Sequence, residues 1–338
     1  MRDWIQALPK AELHVHLDGS LRPETVRKLA KKLPADLRFP RGFDPCKEVI
    51  PATGSLEQYL EAFHITVRLM QDLPALERIA YELCEDAAAE NVIYIEVRFA
   101  PLLHTEQGLK PRDVVSAVVA GLRQAEEDFP IHAGLILTAL KHESTERSME
   151  AAQLAAQFAG KGVVAFDLAG PERHHPALIH RAAIDFAHAA SVHVTLHAGE
   201  ACCPEQVRES LDLGAERIGH GVHAFEDPAT ERRLVKGKIP LEICPTSNLQ
   251  TSSFIKSYDN HPLKRYFDLG IPITLNTDNR LMSQVTLTDE YERVVDAFSL
   301  GKEDAIRIAR HSIEAAFCDN DTKQKLLVRL ADFASAGN

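Results

Sequence analysis

The chain has 338 residues, 45% hydrophobic and 26% charged, which is enough aliphatic content to fill the core of one large domain or two ordinary ones. Its formal net charge of -11, with no cluster of Lys and Arg interleaved with aromatics, argues against a nucleic-acid partner and for a small-molecule ligand. No apolar run is long enough to span a bilayer and the stretch 1–9 lacks the apolar core of a signal peptide, so the expectation is a soluble, cytoplasmic protein with no membrane partner. The six cysteines Cys46, Cys84, Cys202, Cys203, Cys244 and Cys318 follow no framework spacing, which fits free thiols in a reducing compartment. Zinc ligation by the adjacent Cys202 and Cys203 is disfavoured, because no CxxC partner pair exists.

Short β-rich runs alternate with helix-like segments from end to end. The first run, 12–17, puts His14 and His16 on one strand face and Leu13, Val15 and Leu17 on the other. Such a pair is either the start of a metal site or the polar side of a half-buried strand. Helical patterns follow at 23–32, 56–70 and 75–89, with a Pro/Gly-rich connection over 34–54. One βα unit does not need so much chain, so a helical insertion over about 20–90 is expected, part of it covering the barrel mouth as a lid. Leu56, Tyr59, Leu60 and Phe63 are spaced for one helix face, either at that mouth or in plain packing.

Further strands are expected at 92–99, 132–140, 163–168, 193–197, 217–220, 239–244 and 271–276, then amphipathic helices over 302–336. Eight strands alternating with helices close a (β/α)8 TIM barrel, for which the usual size is ~200 to over 400 residues. An open doubly wound sheet fits less well, since no Gly-x-Gly-x-x-Gly turn follows the first strand. The expected fold class is therefore α/β, a (β/α)8 barrel with extra helices after strand 1 and C-terminal helices, in a single domain over 1–338.

The C-terminal ends of such strands converge on one mouth and gather His14, His16, Asp18, Arg98, Gly170, His197, Glu200, His220, His223, Asn248, Asp278 and Asn279. Imidazoles and carboxylates turned into a barrel are costly unless they are ligated, paired or hydrogen-bonded. His142, His174, His175, His193 and His223 are assigned structural or exposed roles, with His223 close enough to stand behind the site.

These residues resemble the adenosine deaminase family of the amidohydrolase superfamily. The resemblance runs through PKAELHVHLDGS at 9–20, YIEVRFAP at 94–101, DLAG at 167–170, HAGE at 197–200, RIGHG at 217–221, CPTSN at 244–248 and NTD at 276–278. Each short match is weak, but their order and their placement at successive strand ends make the set specific. The resemblance implies one Zn²⁺ per subunit, held by His14, His16, His197 and Asp278. Three neutral imidazoles and one carboxylate leave that site net positive, which suits lowering the pKa of water to about 7. The fourth strand carries no terminal lysine that could bridge a second metal.

The same resemblance makes Glu200 the acid that protonates purine N1, a role that needs a raised pKa. His220 would orient the attacking water and take up or relay its proton, and Asp278 would also accept a hydrogen bond from it. Substrate contacts would come from His16, Asp18, Gly170 and Asn279. Asp18 is read either as a ribose contact or as a cap of the turn at Gly19 and Ser20, and both roles are compatible. Asn279 departs from the family pattern, in which a second aspartate is common, yet its amide has a donor for purine N7.

The implied reaction is hydrolytic deamination of adenosine and 2′-deoxyadenosine. Adenine deaminases of the family tend to carry Glu where this chain has Asp18, and Asp where it has Gly219, so a nucleoside is favoured over the free base. Adenosines modified at the 5′ position, such as aminofutalosine-type or thioether substrates, stay open as alternatives. A non-catalytic nucleoside-binding relative has no need to retain Glu200 and His220. The cytidine-type zinc deaminases need H-x-E and P-C-x-x-C arrangements that are absent. Oligomeric state is not readable from the chain.

Overall fold

The computed structural model describes residues 1–51 and 54–336. Positions 52–53 of the expected Pro/Gly-rich connection, and 337–338 of the expected domain, lie outside the described residues. Eight strands are present among them: β1 (Lys10–His16), β2 (Val92–Phe99), β3 (His132–Leu140), β4 (Val163–Ala169), β5 (His193–Ala198), β6 (Arg217–His220), β7 (Leu241–Ile243) and β8 (Ile273–Leu275). All neighbours pair in parallel, in the order β1 to β8. The ring closes where His16 N–H donates to the Asp278 carbonyl at 2.7 Å and Asp278 N–H donates to the His14 carbonyl at 3.0 Å. Leu13 N–H adds a bond to Asn276 Oδ1 at 2.8 Å across the same seam.

The strands follow from their composition. β1 to β6 alternate side chains between the barrel interior and the surrounding helices, and Leu13, Val15, Ile95 and Val97 are fully buried. β7 and β8 are shorter than their apolar runs because Pro240 and Pro272 precede them and have no N–H to extend the ladder. The helix Lys302–Ala315 lies against β1 and β8, with Ala305, Ile308, Ala309, Ser312 and Ile313 buried at helical spacing. Burying Ile308 and Ile313 there contributes roughly 1.5–3 kcal/mol each.

The barrel interior is ionic as well as apolar. Arg98 donates to Glu242 at 2.8 Å, to Asp167 at 3.2 Å and to the Leu13 carbonyl at 2.6 Å. Arg217 donates to Glu242 at 2.6 Å and to Glu96. These charges are buried and paired, with Arg98 Nε left without a partner; removing one member of such a pair typically costs about 3–5 kcal/mol.

Between β1 and β2 lie the helices Pro23–Lys32, Pro45–Glu48, Leu56–Glu61, Phe63–Leu69 and Leu73–Ala89. The single helix expected over 56–70 is two, parted at Ala62, and they bring Leu56, Tyr59, Leu60 and Phe63 over the mouth. Tyr59 is fully buried there and shares a hydrogen bond with Ser283 Oγ at 2.9 Å. The chain ends in the helices Lys302–Ala315 and Asn320–Ala336. No helix among the described residues is long and apolar enough to cross a membrane.

Candidate active site and metal centre

The end of β1, the end of β5 and the turn after β8 bring His14, His16, His197 and Asp278 together. His14 Nδ1–H donates to Glu242 Oε2 at 2.8 Å, and its buried Nε2 faces inward without a hydrogen-bond partner, 3.4 Å from Asp278 Oδ1. His197 is oriented the same way, its Nδ1–H donating to Asp167 Oδ1 at 3.0 Å. His16 Nε2 lies 3.2 Å from His197 Nε2 and 3.4 Å from Asp278 Oδ1. An imidazole that gives its proton to a carboxylate behind it presents a lone pair in front, as metal-ligating histidines do. Ligand atoms at the corners of a tetrahedron with 2.0–2.1 Å bonds stand about 3.3 Å apart, so these separations fit a small divalent cation.

Protonation states agree with that reading. Burial pushes His16 down to about 3 and also lowers His197, so both imidazoles are neutral. Burial works to raise the Asp278 carboxyl, but the His14 hydrogen bond and the surrounding imidazoles outweigh it and hold the group below the ordinary carboxylate range. Ser247 Oγ–H fixes its other oxygen at 2.6 Å. Glu242, Asp167 and Ser247 are thus functional groups that sequence reasoning missed. The available signal was a lone carboxylate inside an otherwise apolar β run, as in Leu241-Glu242-Ile243 and Phe166-Asp167-Leu168.

His220 stands as close to the cluster as His16. Ligand atoms of His14, His197, His220 and Asp278 all lie within 4.8 Å of one another, a set that does not include His16. Hydrogen-bond direction separates the two histidines. Leu263 N–H donates to His261 Nδ1 at 3.0 Å, so neutral His261 carries its proton on Nε2 and donates to Asn248 Oδ1 at 3.2 Å. Asn248 Nδ2–H then donates to His220 Nδ1 at 3.0 Å. Burial keeps both rings neutral, lowering His261 to about 3 and His220 well below its ordinary value. His220 is left with a proton on Nε2, which lies 3.6 Å from Glu200 Oε2. A nitrogen bearing a proton donates; it does not ligate.

Glu200 is buried, and that burial, with the charges of Asp278 and Glu172, raises its carboxyl well above the ordinary carboxylate range. That shift favours its protonated form. Its loop is held from behind: the Glu172 carboxylate accepts from Gly199 N–H at 2.9 Å, Ala201 N–H at 2.7 Å and Cys202 N–H at 2.8 Å. Lys141, buried 3.7 Å from Glu172, donates to the His197 carbonyl at 2.8 Å. Neither Glu172 nor Lys141 was legible as a site residue, because each acts on backbone atoms. His220 and Asp278 both adopt left-handed φ of 63°, a conformation that costs roughly 1–3 kcal/mol in a non-glycine residue and persists where the surroundings enforce it.

A cavity of about 350 Å³ opens at the mouth and is lined by His16, Asp18, Phe63, Leu140, Gly170 and others. Beneath it, a chamber of about 30 Å³ lies between His16, His197, Glu200, His220, Asp278 and Asn279, roofed by Leu56, Tyr59, Leu60 and Phe63. Space of that order holds a water or two. Gly170, at φ 97°, borders both spaces. The buried Asp18 carboxylate accepts no hydrogen bond from the turn at Gly19 and Ser20, and its Oδ1 has no partner, so the capping role is not seen. Asn279 is buried with its Oδ1 against Gly19, where a Cβ would come within 1.7 Å. The outer cavity is bordered by Glu57, Glu61 and Glu106, with no Lys or Arg among its lining residues. His142 also lines it, while His193 and His223 pair with Glu216 and Glu226 instead.

A parallel eight-stranded barrel that gathers imidazoles, a buried aspartate and a buried glutamate of raised pKa at its strand ends is built as a metal-dependent hydrolase. A family model of adenosine deaminase matches residues 9–333. The chain is 41% identical over 333 residues to an adenosine deaminase of Clostridium acetobutylicum, covering 98% of this chain and 99% of that one. It is 44% identical over 323 residues to an adenosine deaminase of Clostridium perfringens, covering 94% and 97%. The solved structure of Arabidopsis ADAL complexed with IMP superposes with a TM-score of 0.89 at 32% identity, covering 98% of each chain. The chain belongs to the adenosine deaminase family.

Proposed function

We propose that this chain is a zinc-dependent enzyme that hydrolyses adenosine and 2′-deoxyadenosine to inosine and 2′-deoxyinosine with release of ammonia. The observation that carries the reading is a buried Glu200, its carboxyl pushed up by burial and neighbouring carboxylates, lining a water-sized chamber beside the His/Asp cluster. His14, His16, His197 and Asp278 would hold one Zn²⁺ per subunit, and the unpartnered Nε2 of His14 is the atom that most needs such a partner. When bound, the ion lowers the pKa of water to about 7 and so supplies a nucleophile near neutral pH.

The rest is done by the chain. His220 donates its Nε2–H to orient the water, so the hydrogen-bond chain through Asn248 and His261 favours the orienting part of its role over proton uptake. Asp278 accepts a hydrogen bond from that water. Glu200 gives its proton to purine N1, which draws charge away from C6 as the C–O bond forms there. The proton of the new hydroxyl at C6 then passes to the amino nitrogen, the C–N bond breaks, ammonia leaves and C6 keeps its oxygen as a carbonyl, while the other proton of the water restores Glu200. The Gly170 N–H faces purine N3, the Asn279 amide serves N7, and Asp18 receives the ribose 5′-hydroxyl. Leu56, Tyr59, Leu60 and Phe63 cover the reacting centre and keep bulk water from it. We read the whole of 1–338 as one catalytic domain, with the helices of about 20–90 as its insertion.

An outer cavity with Glu57, Glu61 and Glu106 on its wall and no Lys or Arg among its lining residues supports a nucleoside over a nucleotide. The same space, about 350 Å³ with Asp18 on its wall, has room for a 5′-extended, uncharged adenosine, the second reading. Turnover of adenosine, deoxyadenosine, adenine, AMP and 5′-thioether adenosines in parallel tests both. Adenosine and deoxyadenosine are expected to be fastest and AMP slowest; faster turnover of adenine than of adenosine overturns the proposal.

A further inference from the structure

Immediately beyond Glu200, the loop carries two adjacent cysteines that the reaction above does not use. The sulfurs of Cys202 and Cys203 lie 3.0 Å apart, and both residues are free and part-exposed. Cys203 has φ 31° and ψ 141°, outside the regions that non-glycine residues favour, so the backbone is already bent where the two side chains converge. Cys202 N–H is one of the three donors to Glu172, and Cys203 is the residue before the helix Pro204–Asp212.

We infer that Cys202 and Cys203 are a modification site, a vicinal dithiol that hydroperoxides oxidise to a disulfide between neighbouring residues, and that closing this ring withdraws Glu200 from its working position. The coupling to activity rests on the role proposed for Glu200; the oxidation does not. In the first step the Cys203 sulfur attacks the outer oxygen of the hydroperoxide, an S–O bond forms, the O–O bond breaks, and an alcohol or water leaves. Cys202 then attacks the Cys203 sulfur, the S–O bond breaks, and the hydroxyl departs as water with the thiol proton. Two thiols and one hydroperoxide thus become one disulfide, one alcohol or water and one further water. Burial and the Glu172 carboxylate hold the Cys202 thiol protonated, which makes it the second sulfur to react.

The sulfurs must move from 3.0 Å to bonding distance, about 2.05 Å, within a ring that contains the peptide bond between them. That contraction reorients the Cys202 N–H, and with it one of the bonds that fasten the Glu200 loop to Glu172. A displacement of about 1 Å in a reacting group is enough for a loss on the order of 100-fold.

The test uses the metal-loaded enzyme treated with tert-butyl hydroperoxide, then alkylated and peptide-mapped, with kcat measured before and after. The peptide spanning 202–203 is expected to lose two hydrogens while kcat falls on the order of 100-fold, and dithiothreitol is expected to restore both. The C203S and C202S enzymes should start with ordinary activity and keep it under the same treatment. Two free thiols on that peptide after treatment overturn the site. A disulfide that forms with kcat unchanged overturns its coupling to Glu200, and adenosine turnover in the untreated enzyme separately reports whether the underlying reaction is right.

Discussion

Three protons decide what this site can do. One is favoured on Glu200 by burial and two neighbouring carboxylates; one sits on Nε2 of His220, placed there by Asn248; one sits on Nδ1 of His14, facing Glu242. Replacing Glu200 by Gln is therefore expected to lower kcat by about 10²–10⁴-fold with metal content unchanged. H16A is expected to lose stoichiometric metal and H220A to keep it, as read by metal analysis of the purified variants. Because the role proposed for Glu200 needs its protonated form and burial raises its pKa, kcat is expected to be full below that pKa and to fall as pH climbs through it. An alkaline limb of the kcat profile that survives in E200Q would assign it to another group. The front of the site was legible in the sequence because His14, His16, His197, Glu200, His220 and Asp278 sit in short motifs at strand ends. Its back was not. His14 and Glu242 are 228 positions apart, and nothing along the chain says which carboxylate will stand behind which imidazole.

At the level of elements, the loop after β5 is the part on which the chemistry leans most. It has no regular hydrogen bonding of its own, so Glu172 supplies three acceptor contacts and Lys141 a fourth fastening at the His197 carbonyl. E172A would strand those N–H groups and leave Lys141 unpaired, which is expected to destabilise the protein by about 3–5 kcal/mol in denaturant titration. E172Q keeps an oxygen for the loop but removes a charge that helps raise the Glu200 pKa, so its kcat alkaline limb should move to lower pH with less loss of stability. β2 to β6 were readable to within a residue, since each is a short apolar run between polar turns, while β1 begins two residues before the expected 12. The misjudged lengths have backbone causes: prolines before β7 and β8, and a parting of the lid helices at Ala62. That Leu56, Tyr59, Leu60 and Phe63 roof the chamber was not decidable from spacing, because a packing face and a covering face share one periodicity.

On the scale of the whole molecule, the ring of strands is joined by residues 263 positions apart, and the joint is made by the backbone of His14, His16 and Asp278 themselves. A cation held by their side chains, as proposed, would stabilise the same state as the seam bound by their main chain. Stripping the metal with a chelator is expected to lower Tm, and an ion at 1,000 times its Kd contributes about 4 kcal/mol to the folded form. The largest gain in amide exchange should appear in β1 and at 276–278. A further consequence concerns folding order. Joining segments so distant in the chain is an entropically demanding closure and is expected late, after the local βα contacts have formed. A chain arrested just short of that step would have most of its helices and strands and no reactive centre. Recovery of turnover after dilution from denaturant therefore times the closing of the ring, and it should lag behind the return of helical circular dichroism.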